Sequence, residues 1–205
     1  MNVSLLDYGA GNLPSVERAL QRLGVQSERV STSDGVAKAA ALILPGVGHY
    51  GALIRALDRD ELRESLIAAL ERGVPFLGIC LGLQALFQNS EEAPDLRGLQ
   101  ILPGSVRVLS GAVKLPHMGW DQVEVKGESR LLEGIDSEAY FYFAHSYAVP
   151  NCVDEPALET RATCSYGGEF VAVTEKENLL AVQFHPEKSG DAGQHVLQNF
   201  LRIAA

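Results

Sequence analysis

Four short strand-like segments, separated by stretches of helical periodicity, constrain this chain more than any other feature. Val3–Leu6, Val25–Val30, Ala41–Leu44 and Pro75–Ile79 read as strands. Between the first two, Leu13, Val16, Leu20 and Leu23 recur on one helical face, with Asn12 placed to cap the helix, Pro14 near its start and Gly24 at its stop. Leu62, Leu66, Ala69 and Leu70 mark a longer helix ended by Gly73, and Leu83, Leu86 and Phe87 a helix after the fourth run. Pro75–Ile79 is apolar throughout, as a strand buried on both faces must be. Such alternation builds a parallel sheet covered by helices on both sides.

After Asn89 the pattern changes. Short β-type segments follow at Ser105–Leu109, Gln122–Val125, Ala139–Phe143 and Phe170–Thr174, closely punctuated by Gly and Pro. Leu179–Phe184 is a last apolar run, and Val196, Leu197, Phe200, Leu201 and Ile203 pattern a C-terminal helix. No linker, repeat or low-complexity tract divides the 205 residues. The expected fold class is therefore α/β. One domain over residues 1–205 carries a central, mostly parallel sheet flanked by helices, with a β-rich, partly antiparallel second half. A chain of this length buries roughly 70% of its unfolded surface, enough for a real core.

Composition narrows the function. Twenty-six acidic against seventeen basic residues give a net charge of −9, with no basic cluster, which leaves no electrostatic footprint for nucleic acid. No apolar run approaches the ~20 residues of a membrane span. The first seven residues carry no basic group and end on Asp7, unlike a secretory signal, so a cytoplasmic location is expected. Cys80, Cys152 and Cys164 are an odd, widely spaced set that suggests neither disulfides nor a zinc site, and nothing implies a metal or other cofactor.

The chemistry-bearing motif is Gly78-Ile79-Cys80-Leu81-Gly82, between the fourth strand and the next helix. A nucleophile on such a sharp turn projects above the sheet, its flanking glycines let neighbouring backbone come close, and the helix N-terminus favours thiolate. Taken alone, a buried core cysteine explains this motif equally well. His185-Pro186-Glu187 shifts the balance. The run before it delivers His185 to the C-terminal edge of the sheet, where open α/β sheets place ligands. Glu187, two residues on, can hold the imidazole Nδ1–H and leave Nε2 for the thiol. The set supplies nucleophile, base and orienter: Cys80, His185 and Glu187. An oxyanion needs backbone donors, which Leu81 and Val47, the latter in the Pro45–Gly48 loop, can provide. Gly46-Val47-Gly48-His49-Tyr50-Gly51 also matches a dinucleotide-binding pattern, but on the third strand and without the acid expected about 20 residues on, so that reading is set aside.

Leu44–Gly48, Gly78–Gln84 and Gln183–Ser189 resemble the three signature blocks of the class I glutamine amidotransferases. Pro116–Trp120, Tyr142–Tyr147 and the Asp7–Asn12 loop extend the resemblance, across nearly the whole chain, to the glutaminase subunits of imidazole glycerol phosphate synthases. The resemblance implies that Cys80 attacks the side-chain amide of glutamine, with a cysteinyl thioester hydrolysed to glutamate, and that Gly48, Gln84, Ser146 and Tyr147 hold the substrate. It also implies a heterodimer with a cyclase subunit, a (β/α)8 barrel. That partner uses the released ammonia to make imidazole glycerol phosphate and an aminoimidazole carboxamide ribonucleotide in histidine biosynthesis. Trp120 and Lys188 are the expected interface residues, His117 is assigned to structure or the partner face, and His145 to support of the glutamine site. The role of His49 is open. Leu83 replaces the family's common Met, and Gln100 stands where a Gly is frequent, which is expected to alter a turn near the glutamine pocket. Two other readings stand beside this one: a glutaminase serving a different synthase, against which Pro116–Trp120 speaks, and a non-catalytic regulatory subunit, against which the intact Cys80, His185 and Glu187 speak.

Overall fold

The structure, a computed structural model, describes residues 2–151 and 159–205. In chain order it forms β1 (Val3–Leu6), α1 (Leu13–Arg22), β2 (Ser27–Val30), α2 (Ser33–Lys38), β3 (Leu42–Gly46), α3 (Tyr50–Arg59), α4 (Leu62–Glu71), β4 (Phe76–Cys80) and α5 (Leu81–Gln84). The second half contributes β5 (Asn89–Ser90), β6 (Ser105–Val108), β7 (His117–Gln122), β8 (Glu124–Val125), β9 (Tyr140–His145), β10 (Tyr147–Ala148), β11 (Thr160–Ser165), β12 (Glu169–Lys176) and β13 (Leu179–Val182). A 3-10 turn at Pro186–Lys188 leads into α6 (Gly190–Ile203).

Eight strands make the central sheet in the order β2-β1-β3-β4-β13-β12-β11-β8. The first five run parallel and the last three antiparallel, so the expected class is borne out. Successive core residues alternate sides. Leu42, Leu44 and Phe76 pack with α3 and α4, whereas Ile43, Leu77 and Ile79 pack with α1 and α6. Both faces are thus sealed, which is why these strands carry no polar alternation. A two-stranded sheet of β7 and β9, pairing His117 with His145 and Trp120 with Tyr142, stands beside the C-terminal ends of the parallel strands.

Several details depart from the sequence reading. Pro45-Gly46 does not end the third strand, because Gly46 still pairs with Cys80. Helix α3 starts inside the glycine-rich segment, capped by His49 Nδ1, which accepts from Gly51 N–H at 3.0 Å. Helix α5 stops after Gln84: the carbonyls of Ala85, Leu86 and Phe87 accept instead from the backbone of Leu99–Leu102, so the helical ladder cannot propagate. Gln122–Val125 divides between the end of β7 and β8, while β5, β10, β11 and the rest of β7 arise where no strand was read. β11, Thr-Arg-Ala-Thr-Cys-Ser, is too polar to show an apolar pattern, yet pairs on both sides.

Candidate active site

Cys80 is the last residue of β4 and adopts φ 55°, ψ −104°, the strained geometry of a nucleophile turn. The glycines around it are required by distance. A Cβ on Gly82 would lie 1.9 Å from the Leu44 carbonyl oxygen, and one on Gly78 would lie 2.7 Å from that of Gly82. The turn packs so tightly against β3 that only bare backbone fits. The side chain at 80 opens into a cavity of about 300 Å³ lined by Val47, Gly48, Gln84, Ser146, Tyr147 and His185, among others.

His185 follows β13 and is pinned by its backbone. Its N–H donates to the Tyr142 carbonyl at 2.9 Å, and its carbonyl accepts from Ser189 Oγ at 2.7 Å. The same hydroxyl accepts from Tyr142 N–H at 2.9 Å, so Ser189 fastens the histidine turn to β9. His185 Nδ1 lies 2.9 Å from Glu187 Oε1, and the Glu187 side chain is only 1% exposed. Burial alone would push the imidazole pKa down. A charge on the adjoining Cys80 sulfur and hydrogen bonding to it, joined by Glu187, override this and push it up to about 10. An imidazolium so stabilised is the partner a thiolate needs.

The structure thus brings Cys80, His185 and Glu187 to one place. It also corrects the role given to Asn12. That residue sits before α1 in a left-handed conformation (φ 54°), which turns its side chain away from the helix amides. Its oxygen accepts from Ser15 Oγ at 3.0 Å and its Nδ2 reaches Glu187 Oε1 at 3.5 Å.

The cavity walls hold Gln84 and His145, both named from the sequence, and Glu92, which the sequence reading passed over. Glu92 lines the cavity and accepts from Tyr50 N–H at 2.7 Å. Gln84 Nε2 donates to the Tyr147 carbonyl at 2.8 Å and to Gln183 Oε1 at 3.2 Å, leaving Gln84 Oε1 buried and unpartnered. His145 Nδ1 also lies 2.9 Å from the Tyr147 carbonyl, so its buried Nε2 is left with a free lone pair. Burial drives the His145 pKa down to about 3 and keeps the ring neutral. The periodicity of β9 signals that His145 faces inward. Nothing in the sequence signals Glu92, which comes from the loop after β5.

Two other residues have clear places. Cys164 is buried, its thiol pushed up to about 12 by burial and the nearby Asp121 charge, which makes it unreactive. Cys152 lies outside the described residues. His117 is buried between the Phe143 and Tyr166 rings, 4.9 and 4.0 Å between centroids, with Nε2 3.4 Å from Asp121; this is a structural setting. Gln100 does adopt the left-handed conformation that favours Gly (φ 58°), but it lines a separate cavity with Glu71 and Lys176, away from Cys80. Trp120 is 55% exposed on β7 beside Met118, 65% exposed, and Lys188 Nζ lies 5.7 Å over the Tyr142 ring at the cavity rim.

With this geometry established, comparison with known proteins decides the family. Residues 4–204 match the family Glutamine amidotransferase class-I. The chain belongs to that family. It is 44% identical over 201 residues to the imidazole glycerol phosphate synthase subunit HisH of Methanothermobacter thermautotrophicus, covering 98% of each chain. It is 45% identical over 205 residues to the protein of the same name from Deinococcus radiodurans, covering 99% of this chain and 94% of the relative. A crystal structure described as a glutamine amidotransferase superimposes with a TM-score of 0.78 at 22% identity, covering 98% of both chains; it supports the fold.

Proposed function

We propose that this chain, acting as one domain, is the glutaminase subunit of an imidazole glycerol phosphate synthase. It hydrolyses the side-chain amide of glutamine and delivers ammonia to a cyclase subunit for histidine biosynthesis. The observation that carries the reading is the 2.9 Å His185–Glu187 contact beside a strained Cys80 at the mouth of an amino-acid-sized cavity. The names of the full-length relatives supply the synthase.

In this reading Glu187 holds Nδ1–H of His185, so Nε2 faces the sulfur. Cys80 attacks the amide carbon, and the Leu81 N–H, at the start of α5, stabilises the oxyanion; the Val47 N–H, which faces the Tyr8 hydroxyl, joins it on turning toward the sulfur. Each such donor contributes about 2.7–4 kcal/mol. His185 protonates the departing ammonia and then serves as base for the water that hydrolyses the thioester. Glu92, Gln84 Oε1 and the neutral His145 Nε2 offer acceptors for the substrate ammonium. Gly48, Ser146 and Tyr147 line the same cavity and are assigned to the substrate carboxylate. No cofactor is needed.

The partner is the cyclase, a (β/α)8 barrel, and the complex a heterodimer. Exposed Met118 and Trp120 on β7 form an apolar patch beside the cavity rim, where Lys188 stands. Trp120 and Lys188 are therefore assigned to the interface. A dock over this rim keeps ammonia from solvent, where protonation would remove its nucleophilicity. A cytoplasmic location for the complex is part of this proposal. Among the described residues no helix is long and apolar enough to cross a membrane.

The test is Cys80→Ala in the reconstituted complex. Glutamine-dependent product formation is expected to fall to background while synthesis from added ammonium salt is retained. Retained use of glutamine by the variant overturns the proposal.

A further inference from the structure

We infer that Gln183 is a catalytic residue that holds the Cys80 sulfur while its amide oxygen accepts from Gln84. The inference rests on the reading of Cys80 as nucleophile and adds a group to it. Gln183 follows β13, is fully buried, and donates its backbone N–H to the Ala172 carbonyl at 2.9 Å. Its Nε2 lies 3.5 Å from Cys80 Sγ, within the range of an N–H···S hydrogen bond.

The direction of that bond follows from a chain of partners. The Tyr147 carbonyl can only accept, so the Gln84 nitrogen, 2.8 Å away, must face it. The second N–H of that nitrogen meets Gln183 at 3.2 Å, so the atom of Gln183 on that side must be its oxygen. The Gln183 nitrogen is then left on the side of the sulfur. A flipped Gln183 would set two donors against each other at Gln84 and an oxygen against the sulfur. The backbone carbonyl of Tyr147 thus orients two buried amides in series, ending on the nucleophile. The series also leaves Gln84 Oε1 as the free acceptor facing the cavity.

The consequence is electrostatic. A neutral thiol is a weak acceptor and a thiolate a strong one, so this N–H favours the charged sulfur. The donor is preorganised at no cost to the reaction, because it cannot rotate without breaking the bond to Gln84. The amide supplements His185, which supplies the balancing positive charge.

The experiment follows Cys80 itself. Iodoacetamide alkylation of the full chain, localised to the Cys80 peptide by mass spectrometry, is measured from pH 5 to 10 for wild type and Gln183→Met. The alkylation midpoint in the variant is expected to rise by about one to two pH units. In the complex with the cyclase, kcat for glutamine is expected to fall about tenfold or more, with KM raised as Gln84 loses one of its two partners. In the unaltered chain, the side-chain amide nitrogen resonance of Gln183 is expected to shift with pH at the alkylation midpoint, and to stay still in Cys80→Ser. The last measurement decides the matter even if Gln183→Met does not fold. Superimposed alkylation profiles, or a Gln183 resonance indifferent to the sulfur, overturn the inference. Because alkylation and resonance report on the sulfur without glutamine turnover, a chain that proves inactive on glutamine refutes the proposed function separately.

Discussion

Replacing Glu187 by Gln separates charge from geometry in the proposed triad. Two donors converge on Oε1, His185 Nδ1 at 2.9 Å and Asn12 Nδ2 at 3.5 Å, while Oε2 is buried with no partner. A glutamine there keeps its oxygen toward both donors, because the opposite orientation would face N–H groups against N–H groups. The imidazole tautomer is then preserved and only the negative charge is lost. A hydrogen bond to a charged group contributes about 1.5–3 kcal/mol and a neutral one about 0.5–1.5, so the difference is about 1–2 kcal/mol. That corresponds to a loss of roughly 5- to 30-fold in kcat. His185→Ala, which removes the base, is expected to lose several orders of magnitude more. The assay is glutamate release at saturating glutamine by the complex with the cyclase. Because the carboxylate is one of the groups that hold the His185 pKa up near 10, the alkaline limb of the pH profile should also move to lower pH in Glu187→Gln. Equal losses in the two variants would refute the orienting arrangement, as would an unchanged rate.

Two further expectations concern the scaffold. Gly82→Ala places a Cβ 1.9 Å from the Leu44 carbonyl, and at least about 1–3 kcal/mol of overpacking should show as a lower urea midpoint or insoluble protein, whereas Gly48→Ala meets nothing within 4 Å and bears only the left-handed penalty at φ 94°, about 1–2 kcal/mol; a milder effect at Gly82 than at Gly48 contradicts the packing argument. His145 keeps its ring neutral down to about pH 3 in the folded state, while the unfolded imidazole protonates near 6.5, so the unfolded state binds the proton first and stability is lost as pH falls through that window; urea unfolding from pH 4 to 7 should show a shallower pH dependence in His145→Asn, and parallel curves would argue against a neutral, buried ring.

The parallel core was legible because residues buried on both faces leave an unbroken apolar run, as in Pro75–Ile79, and because glycine is forced wherever backbone meets backbone, as at Gly78 and Gly82. The places of Cys80 and His185 were legible for a related reason: strand ends in an open α/β sheet fix where a following residue projects. What stayed hidden depends on contacts between segments far apart in the chain. The end of α5 is set by carbonyl partners from Leu99–Leu102, and no local pattern in Leu83–Phe87 records that competition. Glu92 reaches the cavity from a loop, and Asn12 meets Glu187 across 175 positions. Asn12 is instructive because the sequence argued correctly that an asparagine belongs before α1, yet its tolerance of the left-handed region frees the side chain for a partner that only the fold provides.

The same logic explains why strain at Cys80 persists. A non-glycine residue at φ 55°, ψ −104° costs of order 1–3 kcal/mol and survives only where its surroundings leave no alternative. Here β4 is held between β3 and β13 up to its last residues, with Gly46 opposite Cys80 and Val182 opposite Ile79. The helix that follows is clamped by the bare backbones of Gly78 and Gly82. Relaxing the turn would require withdrawing α5 from the Leu44 carbonyl or unpairing the centre of the sheet, and either costs more core than the strain itself. The sheet therefore stores the strain at the position of the Cys80 sulfur, next to the Leu81 amide at the start of α5, the His185 ring and the amide of Gln183.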